Sequence, residues 1–196
     1  MRGVVSDRYA GEVSAIIRVC GLLYEKGMLA GADGNVSVKV SDDFCLTTVS
    51  GVHKGMMGPG DLVLVDVDGR VVGGSGPPSS ELAMHLAVYR EDPGAGAIVH
   101  THAPWTMALS LSGRGYNAAL LAESRMLLGE VVEVPYAEPG SPELAGAVAA
   151  SLGRGPALIL ERHGSVTIGP TLQDAFSLME CLEHNARIIA LSHMLE

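Results

Sequence analysis

His100 and His102 stand two residues apart at the end of the apolar run from Gly96 to Val99, with only Thr101 between them. In an extended strand, side chains two apart leave the same face, so both imidazoles can reach one cation. Alternating histidines also decorate solvated strand faces, and the spacing alone is compatible with either reading. Imidazole suits zinc and other first-row divalent ions, and a catalytic zinc site usually has three protein ligands with one position open to substrate. At least one further ligand must therefore come from elsewhere in the chain.

His163, followed by Gly164 in a strand–turn–strand context, is the candidate third imidazole, although a turn histidine at the surface has the same local sequence. Glu81 follows Pro77, Pro78, Ser79 and Ser80 and falls in the first turn of a helix. There it can ligate a metal, act as a base beside one, or simply complement the helix dipole. His85, four residues on, shares its helical face and is a rival ligand, with a supporting role preferred. His53, His184 and His193 have no partner at ligand spacing. Three turn or cap segments offer donors to an anion: Gly34 with Asn35, Ser50 with Gly51, and Ser79 with Ser80. Each is also an ordinary turn or cap.

The elements that must position these residues are legible in outline. Val13, Ile16, Ile17, Cys20 and Leu23 recur at helical steps between Asp7 and Met28, with Gly27 placed to end the helix. Asn35 to Val40, Phe44 to Thr48 and Leu62 to Val67 read as strands, the last turning at Asp68 and Gly69 into Val71 and Val72. A helix is predicted from Glu81 to about Arg90, with Ser79 or Ser80 as its cap, and Pro104 is placed to close the histidine strand and open another helix. Further predictions are helices near Ala118 to Leu128 and from Pro142 to Leu152, a strand at Val131 to Val134, and a strand pair from Ala157 to Glu161 and from Ser165 to Ile168. A last helix carries Leu172, Phe176, Met179, Leu182, Ala186 and Ile189 on one stripe. The pattern predicts a mixed, largely antiparallel sheet covered by helices, in one domain over residues 1–196.

Composition narrows the function classes. A net charge of −9 with scattered basic residues argues against nucleic acid, and an anionic small molecule would have to be held by local donors against the overall field. Apolar runs are too short for a membrane span, and Met1 to Asp7 has no apolar segment of the secretory kind, so a cytoplasmic protein is expected. Cys20, Cys45 and Cys181 are far apart and odd in number, and are expected to be small buried residues rather than disulfides or metal ligands.

Taken in order, Gly34-Asn35-Val36-Ser37-Val38, Val49-Ser50-Gly51-Val52, Pro78-Ser79-Ser80-Glu81, Val99-His100-Thr101-His102 and Arg162-His163-Gly164 resemble the motifs of the class II aldolase and adducin head family, which includes L-fuculose-1-phosphate aldolase, L-ribulose-5-phosphate 4-epimerase and methylthioribulose-1-phosphate dehydratase. The resemblance spans nearly the whole chain. It implies a three-layer α/β/α fold around a central mixed, mostly antiparallel sheet, assembled as a cyclic homotetramer with interfacial active sites. It further implies Zn2+, or another divalent ion such as Mn2+ or Co2+, on His100, His102 and His163, with Glu81 ligating the empty site and serving as base. Gly34, Asn35, Ser50, Gly51, Ser79 and Ser80 match its phosphate-binding positions. The activity so implied is aldol cleavage of a ketose 1-phosphate of the L-fuculose type to dihydroxyacetone phosphate and an aldehyde. Methylthioribulose-1-phosphate dehydration, epimerisation and decarboxylation are alternatives at the same site, and a non-catalytic adducin-like module is the alternative of another class.

The chain departs from the family pattern at particular places. Ala32 and Asp33 precede Gly34, where a hydroxyl or another small neutral residue is usual, so a carboxylate is brought near the expected phosphate. Leu121 falls where the aldolases carry a proton-donating tyrosine from a neighbouring subunit, with Tyr116 or Glu123 as substitutes. The last helix runs to the end at Glu196, so no tail closing over substrate is expected.

Overall fold

The computed structural model describes Val5 and residues 7–195; apart from Val5 and Asp7, the stretch read for a secretory signal lies outside the described residues, as does Glu196. The first long helix, α1 (Ala10–Glu25), buries Val13, Ile16, Val19, Cys20 and Leu23, and its chain direction breaks at Gly27, which takes a left-handed φ of +74°. Strands β1 (Asn35–Lys39), β2 (Phe44–Thr48) and β3 (Leu62–Asp66) follow, then the short β4 (Val71–Gly73). Asp66 Oδ1 closes the β3–β4 turn by accepting the N–H groups of Asp68 and Arg70, while Gly69 supplies a φ of +83°. After α2 (Leu82–Glu91) come β5 (Ala97–Thr101), α3 (Pro104–Ser112), α4 (Ala122–Leu128), β6 (Val131–Val134), α5 (Pro142–Ala150), β7 (Ala157–Leu160), β8 (Gly164–Gly169) and α6 (Leu172–Met194).

The eight strands form one sheet in the order β4-β3-β2-β1-β5-β8-β7-β6, antiparallel at each pairing except the parallel β6–β7 edge. Alternation along β5 assigns the two helical layers. Ala97 and Val99 face α1 and α6, where Leu182, Met179 and Phe176 pack. Ile98 faces α2 and α5, with Met84, Val88, Leu144 and Val148. The protein is thus a three-layer α/β/α molecule around a mostly antiparallel sheet. The whole predicted stripe on α6 is buried. None of the described helices is long and apolar enough to cross a membrane.

Beyond shifts of a few residues at element ends, two elements and one burial expectation differ from the sequence reading. The predicted helix at Ala118–Leu128 is split: Asn117 Oδ1 accepts the Ala119 N–H and caps a single tight turn over Ala118–Leu120, and Leu121 is extended before α4 begins. Glu81 is the residue before α2 rather than its first residue, and Ser79 Oγ accepts the Glu81 N–H at 3.3 Å. Cys181 is only partly buried, unlike Cys20 and Cys45, whose thiols burial pushes up to about 12.

Pairing of strands distant in sequence then sets the site. Antiparallel β1 and β5 put Asn35 opposite His100, and β5 with β8 put Thr101 opposite Ser165. The turn between β7 and β8 delivers His163 to the same end of the sheet, where α2 starts.

Candidate metal centre

His100 shares the sheet face of Ile98 and lies in the layer beneath α2, fully buried. Its Nδ1 donates to the Ser165 carbonyl at 2.9 Å, which fixes the ring and leaves Nε2 as a lone-pair donor. Nε2 lies 2.9 Å from Glu81 Oε2, and the other oxygen, Oε1, lies 3.1 Å from His163 Nε2. One carboxylate therefore spans two imidazoles. Asn35 Nδ2 donates to Glu81 Oε2 at 3.0 Å and holds the carboxylate in that orientation. His102 completes the group, its ring centroid 5.1 Å from that of His100 and 5.3 Å from that of His163.

One ligand atom from each of Glu81, His100, His102 and His163 lies within 4.8 Å of all the others. Glu81 Oε1, His100 Nε2, His102 Nε2 and His163 Nδ1 are all buried without a hydrogen-bond partner, so the close contacts to Glu81 are made without hydrogen-bond alignment. Buried polar atoms are normally satisfied, and Glu81 Oε1, His100 Nε2 and His102 Nε2, orphaned within one compact group, are what a cation would satisfy. Three imidazoles with a carboxylate form a donor set suited to a first-row divalent ion.

The electrostatics agree with that donor set. Burial raises the Glu81 pKa, but the close approach of the His100 and His163 rings outweighs it, and the carboxyl ends below the usual carboxylate range, ionised at neutral pH. His102 is pushed down to about 4 by burial and by the neighbouring His100 and His163, hence neutral and free to ligate. Its Nδ1 lies 3.6 Å from Asp33 Oδ2. The carboxylate that the sequence places near the phosphate segment thus also flanks a metal-group histidine.

His85 is not part of the group. It is fully buried, its Nδ1 2.6 Å from Ser37 Oγ, which in turn lies 2.7 Å from the Tyr89 hydroxyl. The supporting role preferred from sequence is the one the geometry gives it.

The anion candidates are brought together in part. A bridge between Val49 and Pro78, with Ser50 N–H donating to Pro77 O and Ser79 N–H to Thr48 O, clamps the Ser50–Gly51 turn against Ser79–Ser80 beside Glu81. Those two N–H groups are thereby occupied within the chain. The hydroxyls of Ser50 and Ser80, both on exposed residues, and the Gly51 turn remain available. Gly34 takes a φ of +64°, and a Cβ there would stand 2.5 Å from the His100 carbonyl, so glycine is required for β1 to lie against the histidine strand. The Asn35 amide nitrogen is engaged by Glu81.

Neither suggested proton donor contacts the metal group within the chain. Tyr116 donates to Leu182 O at 3.2 Å in the contact with α6, and Glu123 is exposed at the start of α4. The Ser165 carbonyl behind His100 is a backbone group with no signal in residue type. A cavity of about 670 Å³ opens elsewhere, between Lys26, Trp105 and Arg187.

A family profile described as Class II Aldolase and Adducin N-terminal domain matches residues 14–190. L-Fuculose phosphate aldolase of Methanococcus vannielii is 34% identical over 90% of this chain and 94% of its own. A 3-oxo-tetronate 4-phosphate decarboxylase of Escherichia coli is 35% identical over 88% of this chain and 82% of its own. Among solved structures, the L-fuculose-1-phosphate aldolase of Thermus thermophilus superposes with a TM-score of 0.83 at 32% identity, covering 93% of each chain.

Proposed function

Because the chain belongs to the class II aldolase and adducin family, we propose that it is a metal-dependent carbon–carbon lyase that breaks the bond beside the carbonyl of a small phosphorylated ketose. A ketose 1-phosphate of the L-fuculose type, cleaved to dihydroxyacetone phosphate and an aldehyde, is the first candidate substrate. One observation carries the reading: the buried carboxylate of Glu81 bridges His100 and His163, with Glu81 Oε1, His100 Nε2 and His102 Nε2 buried without partners in a group compact enough for one cation. His100, His102, His163 and Glu81 would hold Zn2+, with Mn2+ or Co2+ as alternatives. When bound, such an ion supplies Lewis acidity to the carbonyl oxygen that gains negative charge.

The chain's own groups do the rest. Ser165 O fixes the His100 ring, and Asn35 aims Glu81. Glu81, ionised at neutral pH, takes a proton from the carbon next to the carbonyl in the synthetic direction and returns it to that carbon after cleavage. Ser50, Gly51, Ser79 and Ser80, with Gly34 and Asn35 across from them, receive the phosphate. A single unit over residues 1–196, a cytoplasmic location and a homotetramer with interfacial sites go with this reading.

Leu121 favours a second reading. Aldol cleavage requires the leaving carbon's hydroxyl to lose its proton as the aldehyde forms, whereas a 3-oxo acid loses carbon dioxide with no proton transfer at the departing group. Both routes pass through the same enediolate and return the proton to the same carbon. A chain with leucine where a tyrosine would exchange the aldehyde's proton is better equipped for decarboxylation, in line with its decarboxylase relatives.

A panel of ketose 1-phosphates and 3-oxo sugar-acid phosphates, assayed with and without chelator, tests both readings. Chelator-sensitive release of dihydroxyacetone phosphate is expected, with carbon dioxide accompanying it only on the second route. Glu81→Gln should keep the fold and lose turnover by about 100-fold or more, and His100→Ala should also lose bound metal. No dihydroxyacetone phosphate from any ketose 1-phosphate sinks the first reading.

A further inference from the structure

Lys54 is 2% exposed, a lysine taken almost wholly out of water. Its Nζ donates to Ala32 O at 3.0 Å and Val52 O at 2.9 Å, and its backbone N–H donates to Gly31 O at 2.8 Å. Ala32 lies two residues before Gly34, and Val52 directly follows Gly51. One ammonium thus ties together, from behind, the two chain segments that carry the Gly34–Asn35 and Ser50–Gly51 phosphate positions.

Its charge has no directly paired partner among the described residues. A lysine ammonium has three N–H donors, and only two have hydrogen-bond partners among the described residues. Nor does Lys54 form an ion pair with a carboxylate there. Buried charges are normally paired. Burial lowers the Lys54 pKa, while the nearby Cys20, Asp33 and Asp61 work in the other direction. Asp33 is the carboxylate at the Gly34–Asn35 segment, so Lys54 offsets a group there that would repel an anion, in a chain that carries −9 overall.

We infer that Lys54 is a positioning residue for phosphate: it locks the two anion-binding segments together and supplies the buried positive charge against which a phosphate dianion binds, without acting on the reacting carbon. The inference rests on the sugar-phosphate reading above. It also accounts for how the chain tolerates Asp33 in place of a neutral residue.

The test uses metal-loaded protein, with inorganic phosphate as the probe, in wild type, Lys54→Gln and Lys54→Arg. Lys54→Gln keeps N–H donors for the two carbonyls but removes the charge. It is expected to retain metal stoichiometry, to bind phosphate about tenfold more weakly, and to raise KM for the phosphorylated substrate by a similar factor with kcat within about twofold. KM for an unphosphorylated ketose should not move, and Lys54→Arg should restore phosphate binding to within about threefold. Equal phosphate affinity in wild type and a folded Lys54→Gln overturns the inference, as does an equal loss on phosphorylated and unphosphorylated substrates. If neither variant folds, Lys54 serves the fold alone and the inference is likewise overturned. Wild type that binds no phosphate instead overturns the sugar-phosphate reading itself.

Discussion

His85 shows what a residue's surroundings add to its spacing. Four residues after Glu81, it qualifies as a ligand by helical geometry, yet its ring is sealed between α2 and β1 and bonded to Ser37. Burial first, and then the charge of His100, push its pKa down to about 3, with Glu81 opposing. The sign of the pH effect follows. In the unfolded chain a histidine titrates near 6.5, so between about pH 6.5 and 3 the unfolded state binds the extra proton, and stability falls as pH falls through that window. The contribution is fully present above pH 6.5, and about 2 kcal/mol of it is lost on going from pH 6.5 to pH 5. Urea denaturation of chelator-treated protein at several pH values should show this slope, and His85→Gln should flatten it. An unchanged slope in that variant would place the acid sensitivity elsewhere. Glu81 is harder to read alone, since a helix-start acid has an ordinary explanation; only its place in an ordered set with His100, His102 and His163 gives it weight. Lys54 carries no signal at all in the sequence, because a lysine beside glycines looks solvated until the two segments fold over it.

Among the elements, those fixed by local periodicity are legible and those fixed by distant contact are not. Phe44–Thr48 and the stripe of α6 follow from alternation and from helical steps, and both appear as read. The break at Leu121 does not follow, since Ala118 to Leu128 is rich in helix formers and the split depends on Asn117 capping a tight turn. Gly164 is a further case. Sequence marks it only as a turn glycine, but it opens β8 directly against the histidine strand. A Cβ there would stand 2.5 Å from Thr101 O, 2.8 Å from His100 Cε1 and 2.9 Å from His102 Cδ2. Gly164→Ala must push two imidazoles apart, and it should weaken metal binding by about tenfold or more while lowering stability by about 1–3 kcal/mol. Gly21→Ala on α1 is the control, for nothing lies within 4 Å of its added Cβ. It should leave metal binding alone and raise stability by about 0.5–1 kcal/mol. Metal competition and thermal unfolding read both, and a Gly164→Ala protein with unaltered metal affinity would show that the strand pair yields without disturbing the ligands.

At the scale of the whole molecule, the surface over α3 and α4 looks unfinished. Leu111, Leu120, Met126 and Leu127 are 66%, 60%, 84% and 55% exposed, and they fall on consecutive elements of one layer, since α3 and α4 both pack on α6. Scattered apolar residues at a surface are ordinary, but several large ones on adjoining elements mark a contact face. Leu121, where the family resemblance implies an interfacial tyrosine, lies within the same stretch. An apolar face on the stretch that includes Leu121 fits an assembly in which neighbouring copies complete each site. With the tetramer that the family resemblance implies, light scattering is expected to give a mass near four chains, and the double change Met126→Glu with Leu127→Glu, which places charges on that face, should shift it to smaller species. Turnover should fall in step with assembly while the divalent metal content of each chain stays at the wild-type level, because all four candidate ligands come from one chain. If the double variant remains a tetramer, the copies meet through another surface; if it dissociates with full turnover, each chain carries a complete site and Leu121 has no bearing on the choice of reaction.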